Sequence, residues 1–254
     1  MTRKTVRLVI IGNEVLSGKI ADANTPWLLG RLRQIGAVCT GVQIVQDTMS
    51  GVAEAVRTDA EAADWVITTG GVGPTHDDIT MAAVARGFGV DVVEHPDLIA
   101  LLASHIGEDL TEHQRRLARV PDGAVLREGG AFPTIQFRNV LILPGVPALV
   151  RSKFEQFEST IAGERLPCSA VRTTLRETEL VPYLEDTLAE VPAADIGSYP
   201  RRGQDGWRVL LTLEAPDQTN LDRALAALLT RLPADAVHDV LHDFRPEDEG
   251  GLGE

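Results

Sequence analysis

The sequence predicts an α/β protein in which a mostly parallel sheet is followed by a smaller α+β region. Short apolar runs bounded by glycine alternate with longer segments of helical period, which is the pattern of βαβ units. The 254 residues, 44% hydrophobic and 24% charged, are enough to bury a large core without a disulfide or a structural metal. The composition also excludes a disordered or low-complexity chain.

The first region alternates predicted strands with predicted helices. The strands are at Val6–Ile11, Val38–Val45, Trp65–Thr69 and Val140–Leu143, where β-branched and apolar residues cluster. The helices are at Pro26–Ile35, Ser50–Ala63, Thr80–Gly87, Asp97–His105, Thr111–Arg119 and Ala148–Ile161, where apolar residues recur at helical spacing. In the first helix, for example, Trp27, Leu28 and Leu32 lie on one stripe.

The helical period stops at residues 162–167, and a different order of elements follows. We therefore assign residues 1–165 to a first domain and 166–254 to a small α+β domain that ends in a disordered acidic tail. Its predicted strands are Val171–Leu175, Asp195–Tyr199 and Arg208–Glu214, and its predicted helices are Glu179–Glu190 and Leu221–Leu232. We expect this domain to cover a pocket or to support self-association as a homo-oligomer. Its loop 201–206 carries paired arginines that could bind phosphate, although a solvated hairpin loop is the favoured interpretation.

Charge and cysteine content narrow the partners and the compartment. Asp and Glu total 37 against 24 for Lys and Arg, a formal charge of −13 that disfavours binding to nucleic acid or to an anionic membrane. Cys39 and Cys168 form no CxxC motif, which argues against a zinc site and a disulfide scaffold. The apolar run Leu8–Ile11 is too short for a signal peptide or a membrane span. We expect a cytoplasmic protein.

The most informative segment is 68–80, TTGGVGPTHDDIT, which follows a strand and leads into a helix. Gly70, Gly71 and Gly73 allow a tight turn whose N–H groups point toward one anion, and phosphate is the expected ligand. Asp77 and Asp78 would repel a bare phosphate, so a divalent cation such as Mg²⁺ is expected to bridge carboxylate and phosphate oxygens. The alternative is a plain glycine turn in which Asp78 caps the following helix.

Other polar residues follow neighbouring strands. Glu14, Asp22 and Asn24 lie after the first strand, in a turn that lacks the spacing of a P-loop. Asp47 follows the second strand, and parallel strands would bring Glu14, Asp47 and Asp78 to one edge of the sheet, where three carboxylates would need a cation. Each of these residues could instead be a helix cap or a solvated turn residue. Pro144–Pro147 forms a stiff loop after the fourth strand.

Two other types of site are disfavoured. His238 and His242 stand four residues apart, but their surroundings fit a strand as well as a helix and no third ligand lies nearby in the sequence. A Gly-x-Ser-x-Gly elbow is missing, which argues against a covalent hydrolase.

Taken together, the motifs resemble the molybdopterin-binding domain that is shared by molybdenum-cofactor biosynthesis proteins and the N-terminal part of CinA. They are Gly12-x-Glu14-x-Leu16-x-Gly18, Asp22-x-Asn24, Gly70-Gly71-Val72-Gly73-Pro74-Thr75, Asp78-x-Thr80 and Pro144-Gly145-Val146-Pro147. They cover residues 5 to about 160. Three segments resemble the N-terminal domain of eukaryotic FAD synthases more closely, namely residues 76–80, 197–200 and 209–213. The likeness therefore extends over most of the chain.

The resemblance implies a three-layer α/β/α domain with a phosphate-binding loop. By position, it implies that Gly70, Gly71 and Gly73 hold phosphate and that Asp47 and Asp78 hold the metal. Glu14 would lie at the rim of the site, and the same ligand would be met by Pro74, Thr75, Asn24 and Gly145. The chain departs from its relatives at Asn13, where CinA-like members usually have Thr. The FAD synthase catalytic domain and the CinA amidase domain are missing, so we expect neither FAD synthesis nor nucleotide deamidation.

The resemblance to the CinA branch implies metal-dependent cleavage of the pyrophosphate bond in ADP-ribose-like or FAD-like molecules. We expect Asp47 and Asp78 to act through the metal, and Asp77 either to orient the attacking water or to be a solvated cap. The competing hypothesis is a protein that binds molybdopterin or a nucleotide without turnover, or an adenylyl transferase in molybdenum-cofactor assembly. Both hypotheses give the chain a nucleotide diphosphate or a pterin phosphate as its ligand.

Overall fold

We analysed a computed structural model that describes residues 3–75, 77–127, 132–201 and 206–245. The chain divides into two compact units, Met1–Arg165 and Leu166–Glu254. The predicted tail from 246 onward and residues 202–205 of the predicted arginine loop lie outside the described residues. In the part of the chain that is described, no helix is long and apolar enough to span a membrane.

The first unit contains eight described strands and seven described helices. The strands are β1 Thr5–Ile11, β2 Val38–Val45, β3 Trp65–Thr69, β4 Val92–Glu94, β5 Arg119–Pro121, β6 Val125–Arg127, β7 Thr134–Phe137 and β8 Val140–Leu143. The helices are α1 Asn13–Leu16, α2 Asn24–Gln34, α3 Met49–Ala62, α4 Thr80–Phe88, α5 Pro96–Ile106, α6 Glu112–Arg116 and α7 Pro147–Ile161.

The main sheet has the strand order β2-β1-β3-β8-β7-β6. The first four strands in this order are mutually parallel, and β7 and β6 add an antiparallel edge. The four strands predicted from apolar runs are all present, and three of them have the predicted bounds. The mostly parallel sheet is confirmed.

Side chains alternate between the two faces of this sheet, and each face has its own core. Val9, Val66 and Ile142 contribute to one core, which is covered by α3, α4 and α5. Leu8, Ile67, Leu141 and their neighbours contribute to the other, which is covered by α2 and α7. Central parallel strands are buried on both faces, which explains their unbroken apolar runs. The three-layer α/β/α architecture is thus confirmed.

The prediction of one helix over Thr111–Arg119 was wrong. The helix α6 ends at Arg116, and Arg119 begins β5, which pairs with β4 in a separate two-stranded sheet. A capping box at Thr111 and Gln114 starts the helix as the sequence pattern indicates. Three-residue strands such as β4, β5 and β6 are too short to show an alternating pattern, so periodicity did not reveal them.

The second unit is a small α+β domain, as predicted. Its elements are β9 Cys168–Thr173, α8 Glu177–Glu190, β10 Asp195–Pro200, β11 Val209–Glu214, α9 Gln218–Arg231 and β12 Val237–Leu241. The sheet is antiparallel with the order β10-β11-β9-β12, and residues of α8 and α9 pack in its core. β9 begins three residues before its predicted start because Cys168 pairs with Glu214. β12 is a strand, so His238 and His242 do not share a helix face.

An ion pair with a buried carboxylate joins β1 of the main sheet to α3. Asp59 is fully buried, and its Oδ1 lies 2.7 Å from Nε of Arg7 and accepts a 2.8 Å hydrogen bond from Nε2 of Gln43. Burial raises the pKa of Asp59, and the favourable contacts with Arg7 and Gln43 oppose this shift without cancelling it. The folded state therefore disfavours the ionised carboxylate relative to the unfolded chain.

This balance predicts how the substitution Asp59→Asn depends on pH. An Asp side chain in the unfolded chain has a pKa of about 3.9, so the stability contributed by Asp59 is fully present below that pH. It is lost as pH rises through the raised pKa of the folded state. Urea unfolding from about pH 3 to about pH 6 covers the range that begins at the unfolded pKa of Asp. Over this range the free energy of unfolding of Asp59→Asn, relative to that of the wild type, should rise with pH.

The exposed pair of Arg57 and Glu61 provides the control, because Glu61→Gln should change the unfolding free energy by less than about 1 kcal/mol. A wild type that gains stability over Asp59→Asn as pH rises would show that the contact with Arg7, and not burial, dominates at Asp59.

Candidate functional site

The carboxyl ends of four parallel strands meet at one edge of the main sheet. Because β1, β2, β3 and β8 are parallel, the loops that follow them all leave from this edge. Glu14, Asp47 and Asp78 were predicted to share this edge on the condition that the strands are parallel, and that condition holds. Open α/β sheets commonly bind ligands at this position.

The loop after β3 turns through two glycines with left-handed backbone. Gly70 has φ +100° and Gly71 has φ +62°, which residues with a side chain rarely adopt. The side chain of Thr80 fixes the turn, since its Oγ1 donates a 2.8 Å hydrogen bond to the Gly70 carbonyl and its N–H donates to the Gly71 carbonyl at 3.1 Å. Thr80 is also the first residue of α4, so the turn and the helix are tied together.

The turn leaves a run of backbone donors unused. Among the described residues, the N–H groups of Gly71, Val72 and Gly73 donate to no protein acceptor, whereas that of Gly70 donates to the Leu143 carbonyl at 3.3 Å. Consecutive free N–H groups form a concavity that attracts anions. We call residues 71–73 the amide nest.

Asp78 is held beside the amide nest by Thr75. Its Oδ2 accepts a 2.8 Å hydrogen bond from the Thr75 N–H, and Oγ1 of Thr75 lies 2.5 Å from the same oxygen. Oγ1 of Thr75 also lies 2.6 Å from Oδ1 of Asp77, but a hydroxyl carries one proton and donates it to one carboxylate at a time. Oδ1 of Asp78 accepts no hydrogen bond from a described residue, so it is available to a ligand.

A cavity of about 610 Å³ opens from the amide nest into the first unit. Its polar lining residues are Thr75, Asp78, Arg116, Arg119, Ser152 and Lys153, and the others are glycine or apolar, including Met81, Leu102, Phe132, Ile135 and Leu149. Met81 and Ala82 belong to the first turn of α4, so the positive end of that helix dipole faces the cavity. The size is typical of a small-molecule site.

The cavity brings together some of the predicted site residues and leaves others outside its lining. Gly71, Gly73, Thr75 and Asp78 line it. The predicted residues outside its lining are Glu14, Asn24, Asp47, Gly70, Pro74, Asp77 and Gly145. Gly70 supports the site through its backbone, because it forms the turn that precedes the amide nest.

Asp47 organises the neighbouring loop. Its Oδ2 accepts a 2.8 Å hydrogen bond from the N–H of Asn13, the first residue of α1. Glu14 folds back so that its carboxylate lies over Gly12. Within the described residues, no group of three or more His, Cys, Asp or Glu side chains could hold a metal ion. A metal held by Asp47 and Asp78 alone stays a prediction.

Asn24 links two loops at the same sheet edge. It is buried, and its Nδ2 donates a 2.9 Å hydrogen bond to the Gly145 carbonyl in the loop after β8. Its Oδ1 has no hydrogen-bond partner among the described residues, an uncommon state for a buried amide oxygen. The carboxylate of Asp22 caps α2 instead, by accepting from the N–H groups of Asn24 and Thr25 at 2.9 and 3.0 Å.

The sequence interpretation missed the cationic side chains of the cavity. Lys153 lies on the buried face of α7, three residues after Val150 and one before Phe154. A lysine inside an apolar helical stripe was the available signal, because lysine is rarely buried without a polar partner. Arg116 lies at the end of α6, where the incorrect long helix concealed its position.

Comparison with known proteins now identifies the family. The model of the family described as "Probable molybdopterin binding domain" matches residues 7–162. The chain belongs to this family. A second family model, described as "FAD synthase, middle domain", matches residues 165–241. The resemblance expected from the sequence motifs is thereby confirmed for both parts of this molybdopterin-binding family member.

Individual relatives agree with the family match. A protein from Aeropyrum pernix is 31% identical over 240 residues, which are 89% of this chain and 90% of that protein. A "Probable FAD synthase" from Caenorhabditis elegans is 29% identical over 95% of this chain but only 52% of its own length, so this chain spans about half of that relative. The structure of CinA from Thermoplasma acidophilum, described as a protein of unknown function, is 28% identical with a TM-score of 0.58, covering 63% of this chain and 98% of that one.

The amide nest and Asp78 make Gly73→Ala a selective test of the site. A Cβ at Gly73 would lie 2.5 Å from Oδ2 of Asp78, so the carboxylate would have to leave its position beside Thr75. The contact is with the end of a side chain, so the fold should survive. With Mg²⁺ present, we expect the affinity for AMP in calorimetric titration to fall about tenfold or more, because the carboxylate that would hold the cation beside the phosphate is displaced.

Gly30→Ala is the matched control, because a Cβ there meets nothing within 4 Å and Gly30 lies in the exposed part of α2. It should raise stability by up to about 1 kcal/mol and leave the affinity unchanged. If Gly73→Ala and Gly30→Ala bind with equal affinity, the loop after β3 is an ordinary turn and not a ligand site.

Proposed function

We propose that this protein is a metal-dependent hydrolase that cleaves the pyrophosphate bond of a nucleotide such as ADP-ribose or FAD and releases AMP. The observation that carries the proposal is the joint placement of a free amide nest and a fixed carboxylate, Asp78, at one end of a largely apolar cavity. A diphosphate would meet the polar end, and the rest of the nucleotide would occupy the cavity. The family's description and the FAD synthase relative support a pterin or nucleotide ligand.

The amide nest supplies the attraction for phosphate in a strongly acidic chain. With a formal charge of −13, the protein repels anions at long range, so a phosphate site requires local donors. The N–H groups of Gly71, Val72 and Gly73 and the first turn of α4 are such donors, and they need no rearrangement to act. Fixed donors of this kind also stabilise the charge that develops on phosphoryl oxygens during hydrolysis.

The carboxylates fit a cation that arrives with the substrate. Mg²⁺ is usually held by one or two carboxylates together with substrate phosphates and water. Oδ1 of Asp78 is free for this role, and Asp47 is our proposed second ligand through the oxygen that does not bind Asn13. Such a cation would polarise the scissile phosphoryl group and lower the pKa of a bound water.

The reaction is a hydrolysis in which water attacks the phosphorus of the adenylyl group. The P–O bond to the bridging oxygen breaks, and the products are AMP and ribose 5-phosphate from ADP-ribose, or AMP and FMN from FAD. The amide nest holds the phosphate in place while the attack occurs. Asp77, which is exposed and adjacent to Thr75, is our candidate for orienting the water and accepting its proton.

We place the protein in the cytoplasm as a homo-oligomer. Cys39 and Cys168 are not joined in a disulfide, which suits a reducing compartment.

The second candidate is a protein that binds a pterin phosphate without turnover, or that transfers an adenylyl group during molybdenum-cofactor assembly. The family's description favours it, and so does the mostly apolar wall of the cavity, which could hold a pterin ring. The two candidates differ in products. The protein is incubated with ADP-ribose, with FAD, or with ATP plus molybdopterin, each with and without Mg²⁺. Chromatography of the nucleotide products then distinguishes the two candidate functions. AMP from ADP-ribose or FAD only with Mg²⁺ supports hydrolysis, whereas tight pterin binding without turnover supports the alternative.

The carboxylate of Asp78 should be required for turnover. Asp78→Asn keeps the shape and the contact with the Thr75 N–H but removes the charge that would bind the cation. We expect Mg²⁺-dependent release of AMP to fall at least about 100-fold, equivalent to about 2.7 kcal/mol of transition-state stabilisation.

Asp122→Asn is the control, since Asp122 is an exposed turn residue outside the lining of the cavity. It should keep full activity. If Asp78→Asn retains activity within a few-fold while circular dichroism shows both variants folded, the role assigned to Asp78 is wrong.

A further inference from the structure

Lys153 is a buried cation in the same cavity as the amide nest. Only 9% of its surface is exposed, and it lines the cavity from α7. The proposed hydrolysis does not use it. Burying an ammonium group is costly unless its protons are satisfied, so the partners of Lys153 decide what the group can do.

The protons of Lys153 are only partly satisfied by the protein. Its Nζ donates to the carbonyl oxygens of Phe132 at 2.7 Å and Pro133 at 3.2 Å. An ammonium group has three protons, and within the described part of the chain the third meets no oxygen or nitrogen acceptor. Nζ lies over the aromatic face of Phe132, whose ring centroid is 5.9 Å away. Both partners are neutral carbonyls, and burial lowers the pKa of Lys153. With respect to the described residues, the group is therefore a fixed donor with one N–H to spare.

The apolar lining of the cavity that Lys153 enters suits a flat ring. Met81, Leu102, Ile135 and Leu149 line the same cavity, and apolar side chains of this kind pack against the faces of a heteroaromatic ring. A donor with no acceptor capacity, at the edge of such a ring, requires an acceptor on that edge. A ring carbonyl oxygen satisfies this requirement. The isoalloxazine ring of a flavin has two such oxygens, whereas adenine has none.

We propose that Lys153 donates a hydrogen bond to a carbonyl oxygen on the edge of a planar ring, and that it thereby selects flavin-bearing FAD over ADP-ribose. This proposal rests on the proposed function, because it places the diphosphate of the ligand at the amide nest. FAD and ADP-ribose share the ADP half and differ in the group that is attached to it. A preference between them therefore reports on the part of the ligand that Lys153 contacts.

The test is a calorimetric titration of the full chain with FAD and with ADP-ribose in EDTA, so that neither is hydrolysed. The wild type should bind FAD more tightly than ADP-ribose. Lys153→Met should weaken FAD binding about tenfold or more, as expected for a lost hydrogen bond to a charged group, and should change ADP-ribose binding less than about twofold. Arg116→Met is the matched control, because Arg116 is another cation of the cavity lining. It should change both affinities by the same factor.

Two results would overturn the proposal: a wild type without a preference for FAD, or an equal loss of both affinities in Lys153→Met. The second result would make Lys153 a contact of the shared ADP half. If Lys153→Met does not fold, the wild type titrated with FMN and ribose 5-phosphate gives the answer, since a site that recognises the ring must bind FMN more tightly.

These measurements do not depend on turnover. Loss of the FAD preference in Lys153→Met, in a protein that hydrolyses neither compound, would support ring recognition and reject the hydrolase. If the protein hydrolyses both compounds but the wild type has no preference for FAD, the hydrolase is supported and ring recognition by Lys153 is rejected.

Discussion

The close approach of β3 to β1 at their carboxyl ends is the constraint on which the site depends. A Cβ on Gly70 would collide with the carbonyl oxygen of Ile11, the last residue of β1. On the other side, a Cβ on Gly145 would lie 3.4 Å from the Gly70 Cα, so the loop after β8 packs against the same point. The chain can leave β3 there only as glycine, and the left-handed turn beyond it releases the N–H groups of the amide nest from the sheet.

The charge distribution of the cavity contrasts with that of the whole chain. Asp78 is the one carboxylate among the cavity-lining residues that the structure describes, whereas Arg116, Arg119 and Lys153 are cations. Arg119 is committed to ion pairs with Glu94 and Glu112, but among the described residues Lys153 hydrogen-bonds only to the carbonyls of Phe132 and Pro133 and lies 5.9 Å from the Phe132 ring centroid. The described lining of the cavity thus carries more cations than carboxylates, next to the turn that we propose as the phosphate site. This arrangement suits an anionic ligand that enters the cavity.

Much of the fold could be predicted from the sequence because the central strands are buried on both faces. Trp65–Thr69 and Val140–Leu143 stand out as apolar runs for this reason. The glycine spacing of residues 70–73 and the nearby Asp78 drew attention to a loop that lines the cavity in the structure. The short antiparallel strands β6 and β7 are held by pairing, β6 with β7 and β7 with β8, a tertiary effect that short sequences do not reveal.

The contribution of Lys153 to the cavity could not be predicted from the sequence, for a different reason. Lys153 shares a helical stripe with Val150 and Phe154, and periodicity assigns the whole stripe to the core. Its function as a donor appears only when the carbonyls of Phe132 and Pro133 are seen beside it. A shared sheet edge brings loops to one side of the sheet without aiming their side chains at one point, and among the described residues no three carboxylates converge as a metal site would require.

The central claim is that the N–H groups of the amide nest bind phosphate, and nuclear magnetic resonance tests it most directly. In ¹⁵N-labelled protein titrated with AMP, phosphate binding at the nest predicts the largest amide shifts at Gly71, Val72 and Gly73, saturating together with a single affinity. Saturable binding of AMP that leaves these three amides unshifted, with the changes confined to residues 166–245, would contradict it.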